Sequence, residues 1–346
     1  MTAERIFVVG PPVRAAIFGA YLAARWLRPG RCLEIAVEGE SECSSDFLTR
    51  PNVHHFHHEL GLPIEQFMRQ CGGTLAFSTP VETALGVVRL PFTQFGVPRA
   101  GVGFHHYLMR ADNLSDQPDL NQFSLSLELE QAGSDQTLSQ LAKLPIEFGL
   151  TVNREAYAKT LLSFAATNGA KVVHGEADPG NVDLVVDCRV SDALPTWSAQ
   201  AMTTGAVGAF AGIEWHVMSS AVKRLVNLAA PLADCLPEQA EWTRLARAEQ
   251  ERIADMEELL MADDLDVVAR STLQRKLDVF SACGRIPIED YEVFAAPEWI
   301  AAFRAQGVNP ARYDRMADAL PRAELLSWIA QLKVQISGLT EQVRTA

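Results

Sequence analysis

The chain has 346 residues, 48% of them apolar and 21% charged, so it can bury a sizeable interior, is not disordered, and predicts about two units at ~150 residues each. Thirty basic residues against forty-three acidic ones leave a net charge of −13, which argues against nucleic acid or an anionic membrane surface as a partner. Without a run of ~18 apolar residues, a signal-like N-terminus (Glu4 and Pro11-Pro12 interrupt it) or a C-x-x-C pair among its six cysteines, the chain is expected in a reducing cytoplasm.

Residues 5–9, Arg-Ile-Phe-Val-Val, end at Gly10 and predict a buried strand. Residues 14–27 then place Ala15, Phe18, Tyr21, Leu22 and Trp26 on one helical face. Leu33 to Val37 predicts a second strand, which ends at Glu38. Strand, glycine turn, helix, strand and terminal acid is the layout of a dinucleotide-binding βαβ unit, in which the acid accepts hydrogen bonds from an adenosine ribose. The G-x-G-x-x-G/A frame falls on Gly10, Pro11, Pro12, Val13, Arg14 and Ala15. Its middle glycine is Pro12. Neither proline has an N–H to offer a diphosphate, and a ring stands where the phosphate comes close. Arg14 offers charge but does not restore the fit, so the unit is expected to survive chiefly as a scaffold.

Further along, His54, His55, His57 and His58 cluster, and His54 and His58 share a helical face at the spacing of a metal-binding pair. Glu59 is adjacent, but no acid or cysteine completes a tetrahedral set, so a helix face without metal is expected. Residues 115–143 are rich in Gln, Ser and Asp and predict an excursion, with a strand at Phe123 to Leu129. Glu238 to Asp264 has apolar residues at helical spacing among dense charge, a surface helix or a partner-binding one. There is no G-x-S-x-G elbow, no cysteine in a nucleophile motif and no internal repeat.

Several segments in order resemble the flavin-dependent tryptophan halogenase family, relatives of the single-component flavin monooxygenases. They are the first strand and turn, Glu38, Arg50-Pro51-Asn52-Val53, Phe56 to Pro63, Glu65 to Met68 and Cys71-Gly72-Gly73-Thr74. Gly103-Phe104-His105-His106-Tyr107 follows, then a helix from Asn153 to Asn168 with an asparagine cap at each end, and Asp183 to Cys188 as the late strand returning to the flavin. Gly284-Arg285-Ile286-Pro287, Trp299, Gln306-Gly307-Val308, Pro310 to Asp314 and Ala317 to Pro321 complete the match. The resemblance implies an α/β fold: a Rossmann-like, flavin-monooxygenase core reduced in size, with a helical C-terminal subdomain. It implies a core over residues 1–205 with an excursion at about 80–150, and the helical part over 206–346. It also implies FAD as cofactor, with Gly10, Arg14, Ala15, Glu38 and Asp187 as its vestigial or weak contacts.

The same resemblance exposes losses. The family's lysine, which holds hypohalous acid beside the substrate, falls at Ala76, and no lysine occurs between Met1 and Ala142. The aromatic sandwich falls on Thr93-Gln94-Phe95-Gly96, with Thr93 in place of a histidine; Phe95 and His106 are the substrate-side candidates. The W-x-W-x-I-P motif is absent, Ser/Thr-Gly after Cys188 is Arg189-Val190, and Ser44-Ser45-Asp46-Phe47 replaces the glycine-rich strap. The substrate-side glutamate falls at Glu214, or at Ala211 or Gly208 with other gap placements. Sheet strands are missing between Cys188 and about Ala206, which is expected to open a sheet edge that either the Glu238–Asp264 helix or another chain covers, the second being the expectation. A halogenase-like protein without halogenase chemistry follows, acting as a binding or assembly partner in a homodimer or beside a full-length halogenase relative. The alternative is an FAD-dependent halogenase or monooxygenase acting on an indole or other aromatic substrate, served by a flavin reductase.

Overall fold

The computed structural model describes residues 3–39, 46–112, 119–133, 138–141, 144–228, 232, 235–263, 265 and 268–345. The chain forms two compact units, each assembled from two segments: Met1–Thr74 with Gly149–Glu251, and Leu75–Phe148 with Arg252–Ala346. Residues 206–251 thus belong with the Rossmann-like sheet, and not with the helical C-terminal part. The reason is local: the helix Ile213–Leu228 packs its Trp215, Met218 and Val222 face into the core and lies against the first helix.

The first unit is built on a six-stranded sheet. β1 (Glu4–Gly10) pairs in parallel with β2 (Arg31–Val37) on one side and with the strand Leu184–Asp187 on the other. Lys171–His174 extends the sheet beyond β2, and Ala201–Thr203 followed by Thr196–Ser198 extends it beyond Leu184–Asp187. Ile6, Val8, Leu33, Ile35, Leu184 and Val186 are buried, as parallel strands covered by helices require. α1 (Pro12–Arg25) crosses between β1 and β2 and lies so close to the sheet that a Cβ on Gly19 would meet Ile35 at 2.3 Å. The helix Arg154–Thr167 packs beside it; Asn153 caps its start by accepting from the Ala156 N–H, and Asn168 follows its end.

The sheet edge after Cys188 carries a short hairpin, and the helix Leu236–Met261 covers it. Thr243 Oγ1 accepts from the Trp197 N–H at 2.9 Å, Gln239 exchanges hydrogen bonds with Ala199 through both ends of its amide, and Arg247 donates to the Pro195 carbonyl. Trp197 is buried under it. The chain's own helix, one of the two coverings expected, thus lies over this edge.

In the second unit, Ser78–Thr83 and Gly86–Pro91 form an antiparallel hairpin against the helix Ala296–Ala305. The strand expected at Phe123–Leu129 is instead a 3-10 turn, Leu120–Phe123, followed by the helix Leu125–Ala132. Leu125, Leu127 and Leu129 alternate like a strand, but the Ser124 hydroxyl accepts from the Leu127 N–H and starts a helix that Leu, Glu, Gln and Ala propagate well. The last helix, Arg322–Thr345, buries Leu325, Ile329, Leu332 and Ile336 at spacings of four and three. No helix among the described residues is long and apolar enough to cross a membrane.

Candidate functional site: a crevice filled by its own side chains

In an open parallel sheet, ligands gather at the carboxyl ends of adjacent strands. Here those ends are Asp187, Gly10 and Glu38, in that order across the sheet. Gly10 is required by contact: a Cβ there would lie 2.9 Å from the Cys188 Cβ and 3.0 Å from its carbonyl carbon. Pro11 is extended at φ −58° and ψ 153°, and Pro12 begins α1 without a side-chain cap. The Ala15 N–H bonds to the Pro11 carbonyl at 3.0 Å and its side chain is buried, so only Val13 and Arg14 leave N–H groups at the helix opening.

Arg14 turns inward. Its Nε donates to Glu214 Oε1 at 2.7 Å and its Nη1 to the Cys188 carbonyl at 3.4 Å. Arg154, the first residue of its helix, grips the same carboxylate, with Nη2 2.8 Å from both oxygens, and lies over the Phe47 ring. The side chains of Arg14, Glu214 and Arg154 are 5%, 16% and 17% exposed. Glu214 is therefore consumed as the shared partner of two guanidinium groups.

Arg189, with its side chain 56% exposed, lies at the solvent side. It forks onto Asp187, with Nε 3.0 Å from Oδ1 and Nη2 2.7 Å from Oδ2, and its Nη1 lies 3.8 Å from Glu38 Oε2. Since β1 runs between those two strands, the side chain spans the end of β1 where a dinucleotide would lie. Burial raises the Asp187 pKa, but hydrogen bonds and charge from Arg189 outweigh it and hold the carboxyl below its usual range. Beside this crevice a cavity of about 600 Å³ runs along Pro12, Val37, Gly39, Leu162 and His174. Ser44 and Ser45 lie outside the described residues. Size is thus available for a nucleoside, whereas the diphosphate turn has lost the two N–H donors of Pro11 and Pro12, the ribose acid faces Arg189 and Arg14 is committed. These residues do not fit FAD in the pose its fingerprint ordinarily gives.

The histidine cluster lies on the helix Val53–Leu60. His57 is fully buried, and its Nε2 shares a hydrogen bond of 3.3 Å with the Tyr157 hydroxyl, which accepts from Trp215 Nε1 at 2.8 Å. Burial, with His54 nearby, lowers its pKa to about 3, which keeps the ring neutral in the core. No group of three metal-ligating side chains occurs among the described residues.

In the second unit, Ala76 is buried and offers neither charge nor donor. Lys276 is fully buried, bound to Glu292, with Nζ 4.0 Å from the Trp299 ring centre. Thr93 pins its loop by accepting from the Glu147 N–H at 2.8 Å, and the Gly96 N–H donates to the Phe123 carbonyl at 2.7 Å. Phe95 lines a cavity of about 410 Å³, bounded also by Leu120, Leu127 and Arg304. His106 is not part of that wall: it is buried, its Nδ1 accepts from the Asp314 N–H at 3.3 Å, and burial, then His105, lowers its pKa to about 4. His105 donates from Nε2 to the Gly284 carbonyl at 2.8 Å. Both histidines fasten loops. The sequence marks Arg189 only as a departure from the family's Ser/Thr-Gly and assigns no role to Arg154; a basic residue directly after an asparagine cap or a late strand is the available signal.

The description "Tryptophan halogenase" fits a family model over residues 48–191 and 200–322. No curated protein matches by sequence. Among solved structures, the chain is similar to BrvH, a flavin-dependent halogenase from Brevundimonas sp. BAL3, with a TM-score of 0.84, 16% identity and coverage of 98% of this chain and 96% of that one. A flavin-dependent halogenase from Xanthomonas campestris gives a TM-score of 0.84 at 15% identity, covering 99% and 96%. The tryptophan 6-halogenase of Streptomyces toxytricini gives 0.75 at 11% identity, covering 98% and 97%. With both segments matched across most of its length, the chain belongs to the tryptophan halogenase family.

Proposed function

We propose that this family member does not carry out halogenation and acts as a binding or assembly partner in the cytoplasm, paired with a second copy or with a full-length halogenase relative. The observation that carries the proposal is the filled crevice: Arg189 lies between Asp187 and Glu38, and Glu214 holds Arg14 and Arg154. Ala76 adds to it, because presenting an electrophilic halogen needs a cationic donor and an alanine has neither property. The purified protein should be colourless, and titration with oxidised and reduced FAD should show binding weaker than about 100 µM. Supplied with a flavin reductase, halide and tryptophan, it should yield no halogenated indole by mass spectrometry. Tight stoichiometric flavin, or chlorotryptophan above a no-enzyme control, overturns the proposal. Light scattering, alone and with a co-expressed relative, tests the partner, and a monomer in both cases sinks that part of it.

A second reading keeps FAD chemistry on an indole or other aromatic substrate. It is favoured by the cavity of about 600 Å³ beside Pro12 and Gly39, and by the names of the similar structures, which are flavin-dependent halogenases.

A further inference from the structure

The cavity of about 410 Å³ lies wholly within the second unit and falls in the size range of small-molecule sites. Its walls divide by chemistry. Phe95, Leu120 and Leu127 form an apolar side, and on the helix Ala296–Ala305 the small residues Ala301 and Ala305 flank Arg304 and leave room beside its side chain. Arg89, at the rim, is neutralised by Glu130, and Asp119 spends its carboxylate on the Asn121 N–H at 3.0 Å. Arg304 differs. Its Nη1 donates to the Asn309 side chain at 2.9 Å, and no carboxylate pairs with it among the described residues.

We infer that this cavity binds a small organic monocarboxylate, with its apolar body against Phe95, Leu120 and Leu127 and its carboxylate on Arg304. A guanidinium presents its donors in a planar fork that matches a carboxylate with two parallel hydrogen bonds. The nearby Asp119 carboxylate disfavours a dianion such as a phosphate monoester, because among the described residues only one cation in the wall lacks an anionic partner. The apolar side disfavours a bare inorganic anion, which would leave that surface without contacts.

The test uses the full chain and the probe pair 3-phenylpropionate and 3-phenylpropionamide, followed by calorimetry and ligand-observed NMR. The acid should bind saturably and the amide at least about tenfold more weakly. Arg304→Leu should bring the acid down to the level of the amide, Arg304→Lys should retain part of the difference, and Arg89→Leu should leave the acid within about threefold of the parent. Leu127→Trp, which fills the cavity, should abolish binding of both probes. Circular dichroism checks that each variant folds, and the lysine and tryptophan variants decide the matter if Arg304→Leu does not. Equal binding of acid and amide, an unchanged affinity in Arg304→Leu, or no saturable binding of the acid up to about 10 mM overturns the inference. The measurement involves neither flavin nor turnover, so its failure is distinct from a failure of the proposed function.

Discussion

Replacing Glu214 by glutamine separates the two roles that a carboxylate at this position can have. In the structure Glu214 accepts from Arg14 at 2.7 Å and from Arg154 at 2.8 Å on each oxygen, in surroundings that leave only 16% of its side chain exposed. Removing the charge leaves two guanidinium groups, 5% and 17% exposed, facing each other without an anion. Breaking a buried ion pair on one side costs about 3–5 kcal/mol, and the amide oxygen of glutamine retains part of the hydrogen bonding, so a loss of about 2–3 kcal/mol is expected. For a unit of this size each kcal/mol moves the midpoint by about 2–4 °C, which puts the drop in Tm at about 4–12 °C. Differential scanning calorimetry of the parent, Glu214→Gln, Arg14→Met and the double variant gives the coupling as well, expected at about 1.5 kcal/mol or more. A carboxylate kept for chemistry is commonly held at a cost, so its replacement is neutral or stabilising. A change in Tm below about 2 °C, or additive single effects, would therefore refute the assignment of Glu214 as a structural partner of Arg14 and Arg154.

Other expectations concern the crevice, the histidines and the aromatic loop. Opening the crevice with Pro11→Gly, Pro12→Gly and Arg189→Ala together should raise FAD affinity by about tenfold or more over the parent, read by fluorescence quenching; no gain indicates that the loss lies elsewhere in the pocket. Burial lowers His57 to about 3 and His106 to about 4, below the ordinary 6.5, so the unfolded chain takes up these protons first. Stability is then full above pH 6.5 and falls as the pH drops toward the folded values, by about 1.4 kcal/mol per pH unit for each histidine in its own unit. Urea midpoints between pH 7 and 5 should show this slope, and His57→Gln should flatten it in the first unit. Gly96 sits at φ +54° with a built Cβ 2.3 Å from the Phe104 ring, so Gly96→Ala should cost about 2–4 kcal/mol by urea unfolding.

The alternation and capping of the sequence determined the βαβ start, the asparagine-capped helix and the long acidic helix, because hydrophobic period and cap chemistry are local properties. It also determined that Pro11 and Pro12 remove two donors, since a proline lacks its N–H in any fold. Local pattern misled at Leu125–Leu129, where leucines two apart lie on a helix whose start is set by the Ser124 cap. Only the tertiary structure decided what the crevice holds. Arg14 meets Glu214 two hundred residues away, and Arg189 reaches Glu38 because the sheet order places Leu184–Asp187 and β2 on either side of β1. Ion pairs across such separations leave no periodic trace in the chain. The same holds for Arg304, whose lack of an anionic partner among the described residues is a property of its neighbours and not of its own segment.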